Sequence, residues 1–248
     1  MPPIAIDNAP ALFDGVRYVR RQQCGCDIEQ FAADEQARAD AIAHAKTVIM
    51  AAGLQSGKLA TFRFGTFDPA RNGDSSRSAI EYVQKYCEEV EVGPSNWLYI
   101  YGPYGVGKTH LAVAALRKIA ATRLWSPYMA VWPTLCSQVK ESWRKDTGTT
   151  EAQLWGKMRH SKILLIDDID KGKYTAWQMG KLFEIINHRT LKQWPTVITA
   201  NHSIEALAVE WDKGEDNPAR DSGGAIISRI GGQLWGAVEI TGRDQRWK

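Results

Sequence analysis

Apolar positions along this chain fall into two alternating patterns. Short apolar stretches stand at Leu98–Tyr101 (LYIY), Tyr128–Trp132 (YMAVW), Lys162–Asp167 (KILLID), Thr196–Ala200 (TVITA) and Ala237–Gly242 (AVEITG). Runs of this length and character predict strands, and the most apolar of them read as buried on both faces. Between them lie segments with helical spacing. Ile80, Val83, Cys87 and Val90 mark a helix from about Ser76 to Val90. Others are predicted over Lys108–Thr122, from Thr134, over Thr150–Arg159 and Thr175–Leu191, and a short one over Ala225–Ile230. Gly, Pro, Ser and Asp punctuate Ser56–Ser76, Val92–Asn96 and Lys213–Gly224, which read as turns and linkers. Strand and helix in alternation predict an α/β fold, a parallel sheet with helices on both faces.

The first strand runs directly into Gly102-Pro-Tyr-Gly-Val-Gly-Lys-Thr109, which fits the spacing G-x-x-x-x-G-K-[ST]. Gly102, Gly105 and Gly107 let the backbone bend so that successive N–H groups face inward. The following helix adds its unpaired N–H groups and positive dipole end. The loop is therefore expected to bind ATP, with Lys108 on the β- and γ-phosphates and Thr109 on Mg²⁺. Val106 and His110 complete the stretch assigned to the nucleotide.

A second motif answers the first. The strand Ile163–Ile166 ends in Asp167 and Asp168. A buried strand should not end in two carboxylates unless something pairs with them, and Mg²⁺ beside a phosphate loop is a natural partner. Asp167 is assigned to the metal, and Asp168 to orienting the attacking water. Asn201 stands just past the strand Thr196–Ala200, and ligands of open α/β sheets gather at strand carboxyl ends. It is assigned to the γ-phosphate or the water.

Charge and cysteine content change this picture little. Net charge is +3, from 31 basic and 28 acidic residues, which permits a local nucleic-acid site without arguing for one. The 248 residues are 44% apolar, enough for a good core. No apolar run is long enough to span a membrane, and the N-terminus lacks the pattern of a secretory signal. Four cysteines in this length are no disulfide framework, so a cytoplasmic location is expected. Cys24 and Cys26 form C-x-C, but His44 and Cys87 do not fall at zinc-ligand offsets, so the pattern does not itself make a zinc site. Cys136 reads as a core residue. Asp27, with Gln30, is placed to cap a helix running to Ala52, either docking on a partner or packed.

Taken with the spacing of Thr66–Asp68 (TFD), YMAVWPTL, LLIDDI, LFEIINHR, TVITAN, SRI and ITGRDQR, the chain resembles the AAA+ ATPases of the DnaC type. These are replicative helicase loaders and their IstB-like transposition relatives. The resemblance covers roughly residues 60 to 248. The chain departs from the family at Asp170, where a glycine is usual.

The resemblance implies an AAA+ P-loop NTPase fold with a five-stranded parallel sheet and a reduced or absent C-terminal lid. Residues 1–60 would be a small, mainly helical partner-binding segment, and residues 61–248 the ATPase domain. It implies that Arg229 enters a neighbouring subunit's ATP site as a finger, hence a homo-oligomer with shared sites. Arg243 or Arg246 would face the nucleotide in cis. The implied partners are a hexameric replicative helicase and single-stranded DNA. For the DNA, Lys140, Trp143, Arg144 and Lys145 are assigned, with cations tracking phosphates and the aromatic stacking on a base. The same residues also read as a solvated helix face with a core tryptophan. Two alternatives stand beside the loader: a transposition regulator assembling on duplex DNA, and a nucleotide-gated scaffold with negligible hydrolysis.

Overall fold

Five parallel strands carry the fold: β1 (Trp97–Tyr101), β2 (Pro127–Val131), β3 (Ile163–Asp167), β4 (Thr196–Ala200) and β5 (Leu234–Glu239). Their order is β2-β3-β4-β1-β5. Leu165 lies opposite Val197, Val197 opposite Leu98, and Leu98 opposite Gly236, so the two acidic and phosphate-loop segments leave the sheet at the same end. The computed structural model describes residues 57–69, 73–143, 150–172, 174–213 and 220–244, with Gln36, Ala39, Asp40, Ala43, Thr47 and Leu54. Of the expected Asp27–Ala52 helix, the described residues Gln36, Ala39, Asp40, Ala43 and Thr47 are helical and its other residues lie outside them, as do Cys24, Cys26 and His44.

Seven helices connect the strands among the described residues: α1 (Asp74–Glu89), α2 (Lys108–Arg123), α3 (Trp132–Ser142), α4 (Glu151–His160), α5 (Ala176–Lys192), α6 (Ile204–Asp212) and α7 (Arg220–Gln233). α2 is the central one. Its alanines 112, 114, 115 and 120 are buried with Leu111, Leu116 and Ile119, so small side chains bring it close against the sheet. With α1 it forms the core on one face; α3 to α7 form the other. Thr150 and Thr175 cap α4 and α5, each paired with a glutamine three residues on. Leu54 and Leu59 join the α2 face, where Arg117 donates to both their carbonyls.

Four elements differ from the sequence pattern. α3 begins at Trp132, which the pattern assigned to β2, because Pro133 suits a first helical turn. β5 starts at Leu234, ahead of the expected Ala237. Gly236 allows this register: a Cβ there would lie 1.8 Å from the Tyr82 hydroxyl. α6 has no counterpart in the pattern, and α7 is longer than expected. α7 is rich in glycine and intrinsically weak as a helix. Packing sustains it: Ile226 and Ile230 are fully buried, and Gly223 sits against Trp211 of α6.

The other ends of α4 and α5 are tied by Arg189, which is fully buried. Its Nε donates to Thr196 Oγ1 at 2.8 Å, and its Nη atoms to the carbonyls of Met158 (3.0 Å), Ser161 (2.9 Å) and Pro195 (2.5 Å). Burial pulls its pKa down to about 9. Among the described residues no helix is long and apolar enough to cross a membrane. Cys87 and Cys136 are buried, unpaired thiols.

Candidate functional site

The phosphate loop leaves β1 at Gly102 and enters α2 at Lys108. Gly102, Gly105 and Gly107 all hold positive φ, at 143°, 74° and 102°, a region that favours glycine. Space is short as well. A Cβ on Gly102 would lie 2.0 Å from the Ile240 carbonyl oxygen, and one on Gly107 2.5 Å from the Phe67 ring. Val106 is buried beneath the loop. Lys108 Nζ donates to the carbonyls of Gly102 and Pro103, both at 2.8 Å, and to Asn201 Oδ1 at 3.0 Å. The ammonium is thus held inside the loop's own curve, and the exposed Tyr104 ring lies 5.9 Å away.

At the end of β3, Asp167 is buried, and its carboxylate accepts hydroxyl donors from two neighbouring elements. Thr109 Oγ1 lies at 2.9 Å and 3.2 Å from its two oxygens, and Thr199 Oγ1 at 2.7 Å. Burial pushes the Asp167 carboxyl above its usual range, against the pull of the Thr199 and Thr109 hydrogen bonds. Asp168 follows in the left-handed region, φ 56°. Its N–H donates to Thr199 Oγ1 at 2.9 Å, and its carboxylate pairs with Lys171 at 3.3 Å.

A buried carboxylate whose neighbours are hydroxyls is a hard, all-oxygen donor set. That chemistry fits Mg²⁺, which takes one or two protein oxygens and fills its remaining positions from water and phosphate. Thr109 and Asp167 are the residues that would hold the ion.

Asn201 leaves β4 toward the same point. Its side-chain oxygen accepts from Lys108, while its backbone and amide nitrogens donate to Asp170 at 2.7 Å and 3.1 Å. Thr199 and Asp170 are the site residues the pattern did not single out. Asp170 was visible as a third acid after a buried strand, and Thr199 as a hydroxyl two residues before Asn201 on an otherwise apolar strand.

Lys108 and Asn201 therefore meet, as do Thr109 and Asp167, while Asp168 joins them through its backbone N–H on Thr199 and turns its carboxylate to Lys171. Other assigned residues lie elsewhere. His110 stacks on Phe62 (4.5 Å between ring centroids), meets the Phe67 edge at 5.1 Å, and has Nε2 2.9 Å from the Arg63 carbonyl oxygen. Its imidazole faces the segment before α1, and burial lowers its pKa. Arg229, on α7, donates to Asn187 Oδ1 at 2.9 Å and to the Ala225 carbonyl, with its guanidinium 4.7 Å from the Phe183 ring centre. None of these contacts is to the phosphate loop of its own chain.

Lys140 lies on α3. Trp143 is 54% exposed, stands edge-on to Trp177 at 5.0 Å, and donates to Glu151 at 2.8 Å. Arg144, Lys145 and Arg246 lie outside the described residues. Arg243 follows β5, and the next residue, Asp244, closes over the loop: a Cβ on Gly105 would meet its Oδ1 at 1.8 Å.

Residues 61–210, more than half the chain, match the family described as the bacterial DnaA ATPase domain. The replicative helicase loader DnaI of Bacillus subtilis is 28% identical over 145 residues, 57% of this chain and 45% of that protein. The chain spans about half the length of the curated relatives it matches. Crystal structures of DnaI and of the DnaC helicase loader superpose with TM-scores of 0.59 and 0.58, each at 24% identity. They cover 75% and 72% of this chain, and 91% and 96% of theirs. The replication initiator DnaA bound to AMPPCP and single-stranded DNA superposes at 0.54, with 22% identity, over 72% of this chain and 49% of that one. These structures share the AAA+ fold described above. The chain belongs to the bacterial DnaA ATPase-domain family.

Proposed function

We propose that this protein is an ATP-dependent replicative helicase loader. It assembles on a hexameric helicase and binds single-stranded DNA, with ATP setting the assembled state and hydrolysis releasing it. The observation that carries the ATPase half is the junction of Lys108 and Thr109 with Asp167 and Asn201 at one end of the sheet. The similarity to DnaI supports the loader half.

In this reading Lys108 exchanges its loop carbonyls for the β- and γ-phosphate oxygens of ATP. Thr109 and Asp167 hold Mg²⁺, which when bound supplies charge neutralisation to the phosphates. Asp168 orients the attacking water from its fixed left-handed turn. Arg229 serves a neighbouring subunit's site, and in its own chain it rests on Asn187 and Phe183. Such a cation contributes on the order of 10³-fold or more in rate. Residues 61–248 form the ATPase domain, and the segment before them grips the helicase. Lys140, Trp143, Arg144 and Lys145 contact the DNA strand. The location is cytoplasmic.

The test is light scattering after gel filtration of the full chain with a hexameric replicative helicase. It is run with ATP, ADP or no nucleotide, and with single-stranded DNA. A stoichiometric complex that forms with ATP and dissolves on turnover is expected. Absence of any helicase complex, together with ATP-dependent filaments on duplex DNA in electron micrographs, would instead identify a transposition-type regulator.

A further inference from the structure

Asp170 is charged by nature and 99% hidden, since its side chain is only 1% exposed. Its carboxylate is nevertheless fully engaged. Oδ2 accepts from the N–H groups of Asn201 at 2.7 Å and His202 at 3.0 Å, and lies 2.7 Å from His202 Nδ1; Oδ1 accepts from Asn201 Nδ2 at 3.1 Å. Every one of these partners belongs to the two residues that leave β4 at the candidate site. A carboxylate placed only to solvate a turn would not spend all its capacity on two successive residues of another element.

The turn that presents Asp170 is itself fixed. Ile169 N–H donates to the Thr199 carbonyl at 3.0 Å, and Lys171 N–H to the Asp168 carbonyl at 3.1 Å. On the far side Tyr99 donates its hydroxyl to the His202 carbonyl at 2.9 Å. Burial, and after it the Asp170 charge, hold the Tyr99 hydroxyl above its usual range, so it stays a donor. Asp170 thus holds the N–H groups of Asn201 and His202, and Tyr99 holds the carbonyl that follows.

We propose that Asp170 is a positioning residue for ATP hydrolysis: it fixes the Asn201 amide so that the oxygen end, not the nitrogen end, faces Lys108. This rests on the ATPase reading above. The chemistry leaves one orientation. An ionised carboxylate only accepts, so Asn201 must turn its amide nitrogen toward Asp170. Its oxygen is then left facing the Lys108 ammonium, 3.0 Å away. An amide free of such neighbours has two orientations of similar energy. Here the flipped one sets oxygen against carboxylate and amide hydrogens against an ammonium, two repulsions in a partly buried site. Asn201 therefore presents an acceptor to Lys108, suited also to an O–H of the attacking water. Asp170 never touches the reacting atoms; it acts through Asn201.

The test is a double-mutant cycle on the full chain, with steady-state ATP turnover and ATP affinity read separately. Asp170→Ala is expected to lower kcat by about 10- to 100-fold, the scale of a misplaced group, while ATP affinity stays within about threefold. Asp170→Asn, which preserves volume but places an amide nitrogen against one of the N–H donors, is expected to lose activity as well. In the Asn201→Ala background, Asp170→Ala should cost no more than about twofold, since the amide it positions is gone. Unchanged kcat in Asp170→Ala, or an equal loss in both backgrounds, overturns the proposal. A wild type that never turns over ATP overturns the ATPase reading instead. The positioning is then judged by the Asn201 side-chain amide signals in NMR without nucleotide. They should be distinct and slowly exchanging in the wild type and lose that protection in Asp170→Asn. Identical signals in both would overturn it.

Discussion

At the residue scale, the site depends on polar groups removed from water and paired with one another. His110 shows what burial alone does. Held between Phe62 and Phe67, its imidazole resists protonation, so its native pKa lies below the ordinary value. The folded form then binds fewer protons than the unfolded form in the window just beneath about pH 6.5, and stability falls as pH drops through it. Thermal melts from pH 7.5 to pH 5.5 should show wild type losing more stability than His110→Gln, which keeps a polar group but cannot titrate. Parallel curves would contradict this. Lys108, Thr109, Asp167, Asp168 and Asn201 were legible in the sequence because each follows a strand or opens a helix at a fixed offset. Asp170 and Thr199 were visible only as an acid and a hydroxyl near strand ends, because their partners are set by contacts between the ends of β3 and β4. Sequence order separates Asp170 from Asn201 by a whole helix, and only the parallel register brings them within a hydrogen bond.

At the element scale, strands and capped helices were readable and packing-dependent helices were not. Thr150 with Gln153, and Thr175 with Gln178, announce α4 and α5 locally. α7 announces little, because its glycines weaken any local preference and its stability comes from burial of Ile226 and Ile230. Arg189 illustrates how separate elements are joined: one guanidinium satisfies the carbonyls ending α4 and preceding β4. Arg189→Ala leaves those carbonyls buried without a donor and opens a cavity. It should destabilise the protein by about 3 kcal/mol or more, read as a lower urea midpoint. Arg189→Lys should recover only part of the loss, since an ammonium cannot span the fork of acceptors. A change under about 0.5 kcal/mol, the range of ordinary surface substitutions, would show that the tie is dispensable.

At the scale of the whole molecule, the proposed mechanism needs more than one chain. Arg229 rests on Asn187 and Phe183 of α5, and in the proposed function it serves a neighbour's site. Arg229→Ala should bind ATP normally and turn it over at least about 10³-fold more slowly. Mixing it with Lys108→Ala, inactive for a different reason, should restore turnover, because some interfaces then pair an intact loop with an intact arginine. Failure to restore activity in the mixture, or full turnover by Arg229→Ala alone, would contradict a shared site. Beneath this lies the claim that the glycine loop and the acidic end of β3 close around one magnesium-bound triphosphate. Calorimetric titration with ATP, with Mg²⁺ and with a chelator, measures it most directly. Wild type should bind more tightly with Mg²⁺, Asp167→Asn should lose that difference, and Lys108→Ala should lose binding altogether. Equal ATP affinity for all three proteins, indifferent to Mg²⁺, would contradict the account.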